Sequence, residues 1–228
     1  MSSKRSSHST TCPAETEATG SPGADNTAYR LTTIAGVQRV PTGELELFIL
    51  RGFLDPESCA ALIGRIDARR RPSGIADDLG IANFRTSETC DLDWRDPVVG
   101  EVDRKIEALL GQPLAASEPI QGQRYASGQE FKPHTDTFEP GGYDYLVHTA
   151  DTGQRTWTAM VYLNEPEQGG ATRFKAIGKT IQPETGKLVA WNNLLPDGRP
   201  NPATLHQGMK VRRGTKYILT KWFRERSA

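Results

Sequence analysis

The chain has 228 residues, which fits one large domain, and its 28 basic residues balance its 28 acidic residues. This balance gives the whole chain no field that would attract a nucleic acid, and the longest purely apolar run, Leu47–Leu50, falls far short of the roughly 20 residues that cross a membrane. The three cysteines, Cys12, Cys59 and Cys90, are irregularly spaced, so they exclude a disulfide scaffold and a zinc ribbon and favour a reducing cytoplasm.

Residues 1–30 are expected to form a disordered tail. Before Leu31 the chain contains no Leu, Ile, Val, Phe or Trp, so this segment buries too little apolar area to offset its conformational entropy. It also lacks the apolar stretch of a secretory signal, and its acidic residues argue against a transit peptide. We therefore expect one folded domain at residues 31–228.

Two helices are predicted early in this domain. Asp55 and Pro56 supply an N-cap and a first-turn proline, and apolar side chains then recur at i, i+3, i+4 and i+7 from Cys59. Asp96 and Pro97 repeat the start signal, and an apolar stripe follows until a glycine at position 111 ends the second helix.

Short β-branched and aromatic runs, separated by turn residues, predict strands. The candidates lie at 45–49 before the helices and, after them, at 121–126, 156–163, 172–174, 187–191 and 216–223. A pair of helices followed by many short strands predicts an α+β domain, in which the sheets form a sandwich or barrel and the helices cover one outer face.

The triplet His134-Thr135-Asp136 is the first candidate for chemistry. On a strand, positions i and i+2 point to the same face, so the imidazole and the carboxylate would converge. With His206 they would form the two-imidazole, one-carboxylate facial triad of non-haem Fe(II) oxygenases. His148 competes for the role of His206, but it lies in a Gly-, Asp- and Thr-rich stretch with no strand to aim it, so His206 is favoured.

Lys216 is the second candidate, ten residues after His206. A turn signal at Arg213-Gly214 predicts a hairpin that would place the strand of Lys216 beside the strand of His206. A buried lysine needs an anionic partner, and the carboxylate of a small acid bound to the metal would be one. Without the triad, Lys216 would be interpreted as an exposed strand residue.

These features occur within a larger pattern. From about Phe53 to Arg226, the chain resembles the prolyl 4-hydroxylase group of 2-oxoglutarate- and Fe(II)-dependent dioxygenases. The shared motifs, in the order of that family, are Phe53-Leu54-Asp55-Pro56-Glu57-Ser58-Cys59, Arg85-Thr86-Ser87, Tyr125 nine residues before His134, Gly169-Gly170-Ala171-Thr172 with Phe174, and the closing Lys216, Lys221-Trp222 and Glu225-Arg226. The resemblance implies a double-stranded β-helix, or jelly roll, flanked by N-terminal helices.

The resemblance also implies a role for individual residues at the iron and its cosubstrate. His134, Asp136 and His206 correspond to the iron ligands. Lys216 corresponds to a catalytic residue of the family, the one that pairs with the distal carboxylate of 2-oxoglutarate. Two further residues, Tyr125 and Thr158, correspond to neighbours of that cosubstrate.

A further set corresponds to the family's peptide groove. Its members are Arg155, Trp222 and Phe131, the last of which replaces a tyrosine of well-known prolyl hydroxylases. Thr220 likewise replaces an asparagine of the closing motif. Both departures concern the substrate rather than the oxygenase core.

The activity implied is hydroxylation of an unactivated C–H bond, with Fe(II) as cofactor, 2-oxoglutarate and dioxygen as cosubstrates and ascorbate as reductant. The expected substrate is a prolyl residue in a peptide or protein, and a free amino acid or other small molecule is the alternative. A nucleic-acid demethylase is disfavoured by the zero net charge. From another class, a non-catalytic iron- or oxygen-sensing module would need no anchor for an oxo acid such as Lys216. Because Asp136 occupies the carboxylate position, hydroxylation is expected rather than halogenation.

Overall fold

The computed structural model describes residues 26–74 and 84–227. Within these ranges the helices are α1 (Thr27–Thr33), α2 (Pro56–Arg69), α3 (Pro97–Leu110) and α4 (Tyr143–Thr149), with short 3-10 turns at Leu114–Ala116 and Pro202–Thr204. The described residues contain no helix that is long and apolar enough to cross a membrane.

The two predicted helices, α2 and α3, are confirmed together with their start signals. Asp55 Oδ1 accepts a hydrogen bond from Ser58 N at 2.8 Å, and Asp96 Oδ1 accepts one from Val98 N at 2.9 Å. Gly111 ends α3 with a φ of +71°, a left-handed conformation that favours glycine.

The predicted tail boundary at residue 30 is wrong, because α1 begins at Thr27. The residues from 26 to 30 pack on the end of α3 through polar contacts. The prediction counted only large apolar residues, so it overlooked these contacts. Thr27 Oγ1 donates to the Leu110 carbonyl at 2.9 Å, and Arg30 Nη2 donates to the Ala108 carbonyl at 2.6 Å. These bonds satisfy carbonyl groups that the last turn of a helix leaves free. The rest of the predicted tail, residues 1–25, lies outside the described residues.

The strands pair in two main antiparallel sheets. The larger sheet has the order β1 (Val37–Arg39), β2 (Leu47–Leu50), β11 (Leu188–Asn192), β7 (Arg155–Tyr162), β14 (Lys216–Arg224), β5 (Gln121–Tyr125), β4 (Glu88–Asp91) and β3 (Arg71–Pro72). The smaller sheet has the order β10 (Lys179–Ile181), β9 (Thr172–Phe174), β12 (His206–Gly208) and β6 (Phe131–His134). A short pair joins β13 (Val211–Arg213) to β8 (Gln168–Gly169).

All six predicted strands are confirmed, as β2, β5, β7, β9, β11 and β14, with ends shifted by a few residues. The predicted hairpin between the strands of His206 and Lys216 is wrong, since β12 and β14 lie in different sheets. The intervening β13 pairs with β8, so the chain has already left the smaller sheet before the turn at Gly214. The two residues therefore reach the same cavity from different sheets instead of lying side by side in one.

Two apolar cores result from this arrangement. One lies between α2, α3 and the outer face of the larger sheet, and it contains Ile66, Ile106 and Phe223 among its buried members. The other lies between the two sheets, and it contains Met160 and Phe174. The fold is therefore α+β, with antiparallel sheets facing one another and helices over one outer face, as the strand and helix pattern predicts.

An ion pair is buried between α3 and the larger sheet, beside the first of these two cores. Lys221, on β14, places Nζ 2.7 Å from Oδ1 of Asp103 on α3, and the two side chains are only 3% and 8% exposed. Removing one member would leave the other charge buried without compensation. The pair therefore connects α3 to the central strand of the sheet.

We expect Asp103→Ala to lower the free energy of unfolding by about 3–5 kcal/mol, measured by urea denaturation, because Lys221 would be stranded. Glu101→Ala is the matched control, since it removes a carboxylate of the same helix from an exposed pair with Lys105 and is expected to cost less than about 1 kcal/mol. Equal, small losses in both variants would contradict a structural role for the buried pair.

Candidate metal centre and anion pocket

Two imidazoles and one carboxylate converge between the sheets. His134 ends β6 and His206 begins β12, and these residues are direct partners in the antiparallel pair. Asp136 lies in a bend just after β6, so it reaches the same point without belonging to the strand. One potential ligand atom from each of the three residues lies within 4.8 Å of the others.

Backbone carbonyls fix the orientation of both imidazoles. The Nδ1 atom of His134 lies 2.8 Å from the Lys132 carbonyl, and that of His206 lies 2.9 Å from the Thr204 carbonyl. A carbonyl accepts only, so Nδ1 carries the proton in each ring and the Nε2 lone pair remains available. This is the tautomer that a metal ligand requires.

The electrostatics favour a neutral imidazole beside an ionised carboxylate. Burial, together with the neighbouring His206, lowers the pKa of His134 to about 3. Burial acting by itself would raise the pKa of Asp136, but the adjacent His206 and His134 outweigh it and the pKa of Asp136 is lowered. A hydrogen bond of 2.7 Å from Thr158 Oγ1 to Asp136 Oδ2 acts in the same direction. Two imidazole nitrogens and one carboxylate fit Fe(II) as a donor set.

Aromatic rings hold the two histidines in place. The ring of Phe131 stacks on His134 with 3.5 Å between centroids and 16° between planes. Trp191 packs edge-on against His206 at 5.0 Å, with Phe174 at 5.5 Å. Phe131 thus supports a ligand in addition to lining the cavity, a contact that its predicted place in the peptide groove does not include.

Lys216 lines the same cavity as the two histidines. Its side chain is 1% exposed, and Nζ lies 5.2 Å from the ring centroid of Tyr125 and 5.3 Å from that of Tyr162. Within the described part of the chain, no carboxylate forms an ion pair with Lys216. Burial lowers the pKa of Lys216 to about 7. The cavity therefore presents a desolvated ammonium group to a small anion.

Polar groups surround this lysine. Tyr162 Oη donates to Thr172 Oγ1 at 2.6 Å, and Tyr125 Oη donates to Gln123 Oε1 at 2.7 Å. Gly170 lies against the lysine stem, where a Cβ atom would come within 3.2 Å of Lys216 Cδ. The two histidines and Lys216 line this same cavity.

The structure brings most of the predicted site residues to this cavity, but it places two of them behind its wall. Tyr125, Phe131 and Trp222 line the cavity with the triad and Lys216. Thr158 instead lies behind Asp136 and binds its carboxylate, and it is not among the residues that line the cavity around Lys216. Arg155 packs on the indole of Trp222, with the guanidinium carbon 4.0 Å from the ring centroid.

Arg155 directs most of its donors to other groups of the protein. Nε and Nη2 both bind the Glu118 carboxylate, at 2.6 and 2.7 Å, and Nη1 donates to the Asp136 carbonyl at 3.3 Å. Glu118 also binds Arg224 at 3.2 Å. Arg155 thus braces Trp222 and the backbone of the metal ligand.

His148 lies on α4 and not in a loop, contrary to the prediction for residues around it. Its ring stacks on Phe138 at 5.0 Å, and it is not part of the His134, Asp136 and His206 cluster. The preference for His206 is thus confirmed by geometry.

Sequence reasoning missed three polar residues that line the cavity. Thr172 contacts Tyr162, Gln123 contacts Tyr125 and also Thr220 Oγ1, and Arg85 lies with its guanidinium carbon 4.9 Å from the Phe131 ring centroid. Thr172 and Arg85 belong to motifs recognised in the sequence, and those motifs were the available signal. Nothing in the sequence distinguishes Gln123 from a surface glutamine.

Comparisons with known proteins agree with this geometry. Residues 120–224 match a family model described as the 2OG-Fe(II) oxygenase superfamily. The prolyl 4-hydroxylase subunit alpha-1 of Gallus gallus is 32% identical over 152 residues, which cover 65% of this chain and 29% of that protein. The chain therefore spans less than a third of the length of this curated relative.

Two solved structures are also similar. The viral collagen prolyl hydroxylase of Paramecium Bursaria Chlorella virus-1, solved as a 2OG complex, is 27% identical, with a TM-score of 0.62 over 78% of this chain and 95% of that chain. A prolyl-4-hydroxylase of Pseudomonas putida, 22% identical, shares the fold with a TM-score of 0.56 over 89% of this chain and 99% of that chain.

The titration of Lys216 leads to a prediction for the binding of a small dicarboxylate. We expect the metal-loaded protein to bind 2-oxoglutarate most tightly below pH 7, where Lys216 is protonated, and the Kd to rise by up to about tenfold per pH unit above it. Calorimetric titration from pH 6 to 9 measures this. Lys216→Arg should bind with a Kd that changes little over the same range, because arginine stays charged. An equally flat profile in the unaltered protein would contradict binding of the anion by a lysine that titrates near pH 7.

Proposed function

We propose that this protein is a 2-oxoglutarate- and Fe(II)-dependent dioxygenase that hydroxylates prolyl residues of a peptide or protein, because residues 120–224 match the family model of the 2OG-Fe(II) oxygenase superfamily. The observation that carries the proposal is the cavity shared by the His134, Asp136 and His206 cluster and the buried Lys216. A metal site without Lys216 would suit many chemistries, and a buried lysine without the metal site would suit none in particular.

The fold proposed for this activity is the double-stranded β-helix. The two facing antiparallel sheets, with β6 and β12 in one and β5 and β14 in the other, support it. In such an arrangement the ligands extend from the smaller sheet and the anion-binding residues from the larger one.

In this proposal the chain's own residues hold and orient the reactants. His134, Asp136 and His206 hold Fe(II), and Lys216 pairs with the distal carboxylate of 2-oxoglutarate. When bound, the iron supplies the redox chemistry by which 2-oxoglutarate and dioxygen become succinate and carbon dioxide while one oxygen atom enters the substrate C–H bond. Ascorbate keeps the iron reduced.

Apolar residues exclude water from the reaction. Met160, Trp191 and Ile218 line the same cavity as the histidines and Lys216, and each is less than 5% exposed. Their low polarity strengthens the attraction between Lys216 and a carboxylate. It also limits side reactions of the activated oxidant.

Trp222 supports a prolyl ring as the substrate. Its indole lines the cavity, and Arg155 covers one face of it. An indole packs well on a flat aliphatic ring. Phe131 lines the cavity near the metal ligands and provides a second apolar wall, without the hydroxyl that a tyrosine would offer.

We also propose that the protein works in a reducing compartment such as the cytoplasm. Cys59 and Cys90 are both free thiols in the part of the chain that the structure describes. Both are buried in the core between the helices and the larger sheet. Burial raises the pKa of each thiol, which keeps the thiols unreactive.

Replacing a metal ligand tests the central claim. We expect His134→Ala and His206→Ala to abolish both Fe(II) binding and the formation of succinate from 2-oxoglutarate with ascorbate present, because two ligands no longer complete the site. His148→Ala is the matched control and should retain both, since His148 packs on Phe138 away from the cluster. Normal succinate formation by either ligand variant would refute the assignment.

A second experiment tests the substrate. We expect Trp222→Ala to lower kcat/KM for hydroxylation of a proline-containing peptide at least tenfold, consistent with loss of an aromatic contact worth about 1.5 kcal/mol. Because Trp222 is only 8% exposed, the substitution also lowers the melting temperature, so activity is measured well below it, where binding of 2-oxoglutarate should change little. Trp94→Ala is the control, because Trp94 is 61% exposed and lies outside the cavity.

A 16-dalton mass gain in the peptide product identifies hydroxylation. If a free amino acid or another small molecule gains oxygen while proline peptides do not, the protein is a small-molecule hydroxylase. Succinate formation without oxidation of any tested compound would leave the oxygenase proposal intact and contradict the peptide substrate.

A further inference from the structure

We propose that Asn193 is a positioning residue for the metal-binding carboxylate and acts on it through Thr158. Asn193 Nδ2 donates to Thr158 Oγ1 at 2.8 Å, and Thr158 Oγ1 donates to Asp136 Oδ2 at 2.7 Å. Asn193 and Thr158 are fully buried, and Asp136 is 6% exposed. The inference rests on the proposed function, since it concerns the carboxylate that would hold Fe(II).

The direction of this hydrogen-bond chain is fixed by chemistry. An ionised carboxylate accepts hydrogen bonds and donates none, so the single hydroxyl proton of Thr158 must point to Asp136. The oxygen of that hydroxyl is then left as an acceptor, and the amide NH₂ of Asn193 is the group that fills it. An acceptor at position 193 would instead compete with Asp136 for the only proton.

The backbone aims the amide of Asn193. Its N–H donates to the Thr156 carbonyl at 2.7 Å, and its carbonyl accepts from Asn201 N at 2.9 Å. The side-chain Oδ1 is buried without a hydrogen-bond partner among the described residues. An unpaired buried acceptor is costly. The side chain is therefore placed for its donor, and that donor binds Thr158.

Asp136 depends on such support more than the two histidines do. His134 and His206 belong to paired strands, whereas Asp136 follows β6 in a bend and has no place in the strand ladder. The bond from Thr158 commits Oδ2 to the protein and leaves the other oxygen for a metal. A carboxylate held in this way offers one oxygen, and coordination positions stay open for a cosubstrate.

A double-mutant cycle on metal affinity tests the chain of hydrogen bonds. Mn(II), used in place of the oxidisable Fe(II), is titrated into the purified protein, and its Kd and electron paramagnetic resonance spectrum are recorded. We expect Thr158→Val to weaken Mn(II) binding by about 10- to 100-fold, the usual cost of losing a partner that orients a ligand. Asn193→Ala should weaken it severalfold and alter the spectrum, yet have no further effect in the Thr158→Val background.

Controls separate this role from a structural one. Thr158→Ser keeps the hydroxyl and should restore the Kd of the unaltered protein. Asn192→Ala changes the neighbouring asparagine, whose amide donates to Glu46 Oε2 at 3.0 Å, and should leave the Kd and the spectrum unchanged. Thermal unfolding of every variant checks that it folds.

The possible outcomes are distinct. An unchanged Kd in Asn193→Ala, or an equal loss with and without the Thr158 hydroxyl, would overturn the role of Asn193 while leaving the proposed function in place. A failure of the unaltered chain to bind Mn(II) or Fe(II) would overturn both.

Discussion

The site depends on one strand that is buried on both faces. All nine residues of β14 are buried, so its two sets of alternating side chains have different surroundings. Ile218 and Trp222 face the cavity between the sheets, and Leu219 and Phe223 face the helices. A strand in such a position cannot shift by one residue without exchanging the two sets.

This constraint explains the two buried lysines of β14. Lys221 faces the helices and is neutralised within the protein by Asp103. Lys216 faces the cavity, where tyrosine rings surround its ammonium group. The same strand thus uses one buried charge for stability and presents the other to a ligand, and the difference comes only from which face each lysine occupies.

The three side chains of the candidate metal centre are positioned in two different ways. The pairing of β6 with β12 fixes the two imidazoles by backbone geometry, and neighbouring carbonyls fix their tautomers. The carboxylate lies outside that pairing and is oriented by side chains that extend from the larger sheet. Because Thr158 and Asn193 belong to the region of β7 and β11, both sheets are needed to complete a site whose three ligands all come from the smaller sheet and the bend after it.

The sequence by itself determined what local signals and residue chemistry encode. The N-caps Asp55 and Asp96 and the apolar stripes that follow them defined α2 and α3, because these interactions span only a few residues. The longer strands followed from alternation of apolar residues, and the ordered motifs, together with the choice of His206 over His148, predicted the three side chains that the structure brings together. The short strand β6 was not among the predicted strands, since Pro133 interrupts its pattern, and the strand of His206, β12, was expected beside the wrong neighbour.

Tertiary structure decided the contacts between residues far apart in the chain. The packing of α1 on α3, the crossing of the chain from β12 to β14, and the capture of Arg155 by Glu118 each join segments whose spacing carries no periodic signal. The same holds for Asn193, which is 57 residues from Asp136. At that separation the sequence contains no signal that distinguishes it from an ordinary asparagine in a loop. Local sequence fixes which chemistry is available, and only long-range packing decides which groups are buried together and therefore interact strongly.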